Sequence, residues 1–188
     1  MFARNYSMDE LLSNSWDKKL ANDLAAEIEV CIGENRGTVE EIRRFLAVKG
    51  YRELLQRLED VRRGKTSHNA LKAVALEMRG YALERPALSA AAFRIATADS
   101  PEWRHAHANI HAFMITIFGE CGLTREAAED ALLMLRSLVR GFVLNELMHS
   151  VLGVRSYDDC FEDSIRVLIA GLPALSPPLD PGLRGPGG

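Results

Sequence analysis

Leu71-Lys72-Ala73-Val74-Ala75-Leu76-Glu77-Met78-Arg79-Gly80-Tyr81-Ala82-Leu83-Glu84-Arg85-Pro86 decides the fold class. Leu71, Val74, Met78 and Tyr81 return every three or four residues, the spacing that lays apolar side chains along one face of an α-helix. Pro86 ends that helix, because a proline disfavours helical geometry in the residue before it, and Ser67 is its expected N-terminal cap. Upstream, Thr38 with Glu41 three residues on forms a capping box. From there Ile42, Phe45, Leu46, Tyr51, Leu54, Leu55, Leu58 and Val61 carry an apolar stripe as far as Gly64. Before it, Ser7, Asp9 and Glu10 mark a helix start, and Leu11, Leu12, Trp16, Leu20, Leu24, Ile28 and Ile32 keep helical spacing up to Gly33.

Downstream the same punctuation continues. A short alanine-rich helix is expected over roughly Ala87 to Thr97. Ser100-Pro101-Glu102, a cap with proline at the first helical position, opens a fifth helix through Trp103, His107, Ile110, Met114 and Phe118 to the Cys121-Gly122 turn. Thr124 and Ala127 open a sixth, in which Leu132, Leu135, Leu138, Val139, Phe142, Val143, Leu147 and Val151 are apolar around more than one face, so that it must be buried on two sides. Ser156, Asp158 and Asp159 are candidate caps for a seventh, carrying Phe161, Ile165, Val167, Leu168 and Ile169 to Gly171. Strand alternation and internal repeats are missing from the sequence. The expected fold class is all-α, about seven helices in one bundle. The segment 173–188, dense in proline and glycine, reads as a disordered tail.

Composition narrows the function classes. A net charge of -3 offers no general basic field for a nucleic-acid backbone. Three cysteines without pair spacing indicate neither a disulfide framework nor a zinc ribbon, and a reducing cytoplasm is the expected compartment. Neither a secretion signal nor a stretch of about 18 apolar residues is found, so no membrane association is expected. Glycine-rich nucleotide-binding signatures are missing too, and the scattered carboxylates supply no placed acid, base or nucleophile; no enzymatic activity and no cofactor are expected. His107 and His111, four apart, share a helix face as zinc ligands do, but with no third ligand in sight no metal site is expected.

The 71–86 stretch resembles the helix of TetR-type transcriptional regulators that reads ALRALAxxYRxYAxExP. The likeness continues in Leu135-Arg136-Ser137-Leu138-Val139-Arg140-Gly141-Phe142-Val143-Leu144-Asn145-Glu146-Leu147, similar to their penultimate helix, and in the stretch from Phe161 to Leu172, similar to their closing helix. Order and spacing are those of the TetR C-terminal domain type named after a Trp, a His and a Gly; Gly141 keeps the glycine, while Arg140 stands in the histidine's place.

The resemblance implies a homodimer in which the last two long helices of each protomer make a four-helix bundle, with Leu135, Leu138, Phe142, Leu147, Phe161, Ile165 and Leu168 at the interface. The two-sided apolar pattern of the sixth helix points the same way on physical grounds, a central helix of a monomer being the alternative. It also implies a small apolar effector held between the central helices, for which Met78, Phe93, Trp103, His107, His111, Met114 and Phe118 are the candidate lining; ordinary core filling is the alternative for each.

Such regulators carry a three-helix DNA-reading head with a GVSxGxLYxHF turn, and no such string stands here. Residues 1–50 hold seven Lys and Arg against nine Asp and Glu, an acidic balance unlike a DNA-reading head. The expected organisation is an N-terminal helical segment 1–37 that replaces or reduces the head, a sensing and dimerisation body 38–172, and the tail. The expected function is a TetR-like regulator, operator DNA being a weakly supported partner; the alternative is a dimerisation or interaction module that does not bind DNA.

Overall fold

Thr38 begins the best-defined punctuation of the chain. Its hydroxyl accepts from the Glu41 N–H while the Glu41 carboxylate accepts from the Thr38 N–H, a reciprocal box that satisfies two orphan donors of a helix start. The computed structural model describes residues 15–33, 38–92, 100–147 and 156–175, and within them seven α-helices: α1 Ser15–Gly33, α2 Val39–Arg62, α3 Ser67–Glu84, α4 Pro86–Ala92, α5 Pro101–Glu120, α6 Arg125–Leu147 and α7 Tyr157–Gly171, followed by a 3-10 turn Leu172–Leu175. The all-α expectation holds.

Most starts and stops follow their local chemistry. Ser100 accepts from the Trp103 N–H, Thr124 from Ala127 and Ser156 from Asp159. Gly122, at φ +89°, takes the left-handed conformation that ends α5, which costs glycine nothing. Ser67 departs from its expected role: it is the first residue of α3 rather than its cap, and its hydroxyl donates 2.8 Å to the Glu120 carbonyl at the end of α5. The expected onset of the first helix at Ser7 and the part of the fourth beyond Ala92 fall outside the described residues. Pro173 to Leu175, assigned from composition to the tail, continues the chain as a 3-10 turn with Leu175 packed on the core.

α2, α3, α5 and α6 share one core. Leu58, Leu71, Val74, Met114, Ile117, Phe118 and Leu135 are wholly or almost wholly buried in it, and α7 adds Phe161 and Ile165. Each such side chain removed from water contributes about 1.5–3 kcal/mol. α4 crosses α2 so closely that a Cβ added at Gly50 would lie 2.7 Å from the Leu88 carbonyl oxygen; the same tight turn lets the Tyr81 hydroxyl donate to the Gly50 carbonyl at 3.2 Å.

α7 is fixed from α3 as well as by its apolar face. Arg79, 7% exposed, donates to Glu146 near the end of α6 and to Asp158 in the first turn of α7, and its guanidinium lies 5.2 Å from the Phe161 ring centroid. Burial works against its charge, but the hydrogen bonds to Asp158 and Glu146 outweigh it and leave its pKa raised. No helix among the described residues is long and apolar enough to cross a membrane.

Candidate functional site

α5 presents Trp103, His107 and His111 one turn apart on a single face. Their rings stack in a file, with centroids 5.2 Å apart between Trp103 and His107 and 6.1 Å between His107 and His111, each pair within 23° of parallel. Tyr51 of α2 closes the file edge-on, 6.3 Å from Trp103 and 5.6 Å from His107. On the other flank α6 supplies Glu129, whose carboxylate lies 2.7 Å from His111 Nε2, and Arg136, whose positive charge acts on both Tyr51 and His107.

The electrostatics keep the file uncharged in the middle. His107 has a pKa below the ordinary histidine value, first because it is buried and then because Arg136 and His111 oppose a further positive charge. Burial pushes the Tyr51 hydroxyl the other way, so it too stays neutral. The Trp103 indole N–H is buried and has no acceptor among the described residues, which leaves one unspent donor beside a stack of flat rings. Among the described residues no three His, Cys, Asp or Glu side chains come together as metal ligands.

The structure brings three of the seven expected lining residues, Trp103, His107 and His111, into this one file. Met114 and Phe118 continue along α5 into the core, and Met78 enters the same core from α3, all three closely packed. Phe93 lies outside the described residues. Tyr51, Glu129 and Arg136 were missed. Tyr51 was legible only as one member of an apolar stripe, and nothing local to α6 shows that Glu129 and Arg136 approach α5.

The expected interface residues divide by depth. Leu135, Phe161 and Ile165 are fully buried within the chain itself, where they fill the groove between α3, α6 and α7, and so offer no surface to a partner. Leu138, Phe142, Leu147 and Leu168 lie half-buried at the core margin, Phe142 edge-on to Phe161 at 5.1 Å. Outside them the same two helices expose Leu133, Met134, Leu144 and, at 73% exposure, Val167. Met134, Leu138, Val167 and Leu168, with Asp163 and Ser164, border a shallow trough of about 490 Å³ between α6 and α7. α6 thus has its two apolar arcs: Ala128, Leu132, Leu135, Val139 and Val143 serve the core, and the second is left uncovered by the described residues of its own chain.

The N-terminal segment meets the body through charge. Glu27 is the only described side chain of α1 that is fully buried; it accepts from Lys49 of α2 at 2.6 Å and pairs with Arg85. Asp23 accepts from Arg85 at 3.3 Å and from the Ala87 N–H at 2.9 Å, and Glu53 of α2 also holds Arg85, at 3.2 Å. After Thr38 the chain runs as one unbroken helix, α2, the first of the body.

Residues 71–168, from α3 to α7, match the family model described as the tetracyclin repressor-like C-terminal domain. The chain belongs to the TetR family. The match includes both the ring file on α5 and the outer face of α6 and α7. Over 161 residues the chain is 28% identical to an uncharacterized HTH-type transcriptional regulator, Rv0681, of Mycobacterium tuberculosis, covering 84% of this chain and 73% of that protein. That coverage is more than residues 38–188 alone can supply, so the TetR-type likeness reaches back before Thr38.

Proposed function

We propose that the protein is a transcriptional regulator that works in the cytoplasm as a homodimer and senses a small apolar effector, binding it rather than transforming it. The observation that carries the reading is the uncovered apolar face of α6 and α7, with Val167 73% and Leu133 64% exposed. Contiguous apolar surface of this kind on a soluble domain marks an interaction site, and a second copy of the same face would cover it with two-fold symmetry. Leu138, Phe142, Leu147 and Leu168 would form its margin, with Leu135, Phe161 and Ile165 as the packed floor beneath. The effector would lie at the Trp103, His107 and His111 file, whose free indole N–H supports an acceptor-bearing ligand, with Met78, Phe93, Met114 and Phe118 as the surrounding wall. In this organisation residues 1–37 take the place of the reading head, 38–172 form the body, and a tail follows.

Val167→Asp tests the interface, since an exposed site tolerates the change in the folded chain. The wild type is expected to sediment as a dimer at micromolar concentration and the variant as a monomer with unchanged helical circular dichroism. A monomeric wild type overturns the assignment. Native mass spectrometry of protein purified from its host reads the effector, and a dimer free of any small molecule counts against the sensor.

A second reading, a dimerising module that binds no DNA, is favoured by the acidic balance of residues 1–50. A gel shift against the upstream region of its own gene separates the two: specific retardation that weakens with salt supports the regulator, and none at low salt supports the module.

A further inference from the structure

A second cleft opens between α2 and the first turn of α5, apart from the ring file. It measures about 490 Å³, within the size range of small-molecule sites. Its lining is of two kinds. Phe45 and Val48 are apolar, partly buried and packed against the core. Around them stand three cations, Arg44, Lys49 and Arg52, and two carboxylates, Glu53 and Glu102, leaving a surplus of one positive charge.

The carboxylates are already engaged. Glu53 accepts from Arg85 at 3.2 Å and lies 3.8 Å from Lys49. Glu102 is bound by its own backbone N–H and the Ser100 hydroxyl, which together with Arg44 and Arg52 hold its carboxyl below the usual range. Lys49 is likewise committed, to Glu27. The two guanidiniums act on Glu102 only through space: neither Arg44 nor Arg52 makes an ion pair with a described residue, and Arg44 Nε is buried without an acceptor among them. A buried donor without an acceptor is costly and marks a place where a partner is missing. Guanidinium groups hold carboxylates with paired, charge-assisted hydrogen bonds, and a surplus of one charge favours a singly charged head.

We propose that this cleft binds a small anionic amphiphile, a carboxylate on a short apolar body, with Arg44 and Arg52 holding the head and Phe45 and Val48 receiving the body. A cation of the same shape meets the surplus positive charge of the cleft, and a carboxylate without the body loses the contact with Phe45 and Val48.

Titration calorimetry of the full chain with octanoate, acetate and octylamine tests it. Octanoate is expected to bind once per chain, acetate much more weakly and octylamine not at all. Arg44→Gln and Arg52→Gln should each weaken octanoate by about tenfold or more. Arg52 is exposed, so its variant carries the test even if Arg44→Gln destabilises the fold. No heat with millimolar octanoate, equal binding of octylamine, or octanoate affinity unchanged in the Arg52→Gln variant overturns the proposal. The last outcome would place octanoate elsewhere in the molecule and leaves the ring-file reading standing, while loss of binding in the arginine variants says nothing against that file.

Discussion

His107 is held neutral between Trp103 and His111, chiefly by burial and then by its electrostatic interactions with Arg136 and His111. The sign of its effect on stability follows from linkage. With a folded value below 6.5, the unfolded chain takes up the proton first as the pH falls. The contribution of His107 is therefore intact above about pH 6.5 and is lost as the pH drops through the folded value. Urea unfolding at about pH 7.5 and about pH 5.5 should show a steeper loss for the wild type than for His107→Gln. Equal losses would mean that His107 takes its proton in the folded protein as readily as in the unfolded one. Part of this arrangement is legible in the sequence, because 103, 107 and 111 fall on one helix face by arithmetic. The rest is not: Tyr51, Glu129 and Arg136 come from other helices, and their approach depends on how α2 and α6 cross α5, which no local pattern encodes.

The crossing of α2 and α4 rests on one missing side chain. Gly50→Ala puts a Cβ 2.7 Å from the Leu88 carbonyl oxygen, a backbone atom that cannot swing aside. The helices must separate, which also strains the hydrogen bond from the Tyr81 hydroxyl to Gly50. A loss of about 1–3 kcal/mol is expected in chemical unfolding, and an unchanged midpoint would show that α4 is free to shift. Helix punctuation was the most legible layer of the fold. Thr38, Ser100, Thr124 and Ser156 cap as their residue types predict because a cap is decided within four residues. Ser67 escapes that logic, since its hydroxyl is taken by Glu120, 53 positions away. The faces of α6 were legible as two apolar arcs but not as inner and outer: Leu135 and Met134 are both apolar neighbours in sequence, and only the placement of α3 and α7 makes one core and the other surface.

Over the molecule as a whole, the first and last described helices are attached by different forces. α7 is seated by Phe161 and Ile165, with Arg79 bridging to its first turn. Among its described side chains α1 is held by ions around Arg85 and Lys49, while Leu24 and Val30 remain exposed. Arg85→Gln removes the cation shared by Asp23, Glu27 and Glu53, which weakens the docking of α1 by about 1–3 kcal/mol. Hydrogen exchange should then quicken in α1 while the buried turns of α3 and α5 keep their protection; unaltered exchange in α1 would show that apolar contacts hold it instead. Family membership was readable from the 71–86 stretch with the two closing helices, because a packing pattern repeated in a fixed order is specific even when each member is not.

The order of synthesis gives the seating of α7 a further meaning. Phe161 and Ile165 plug the groove flanked by α3 and α6, so on the ribosome that groove stays open to water until α7 has been made. The apolar trough beside Val167 does not exist before then either, because α7 forms one of its walls. A partner that docks on that trough therefore meets its finished surface only after α7 has been made and seated.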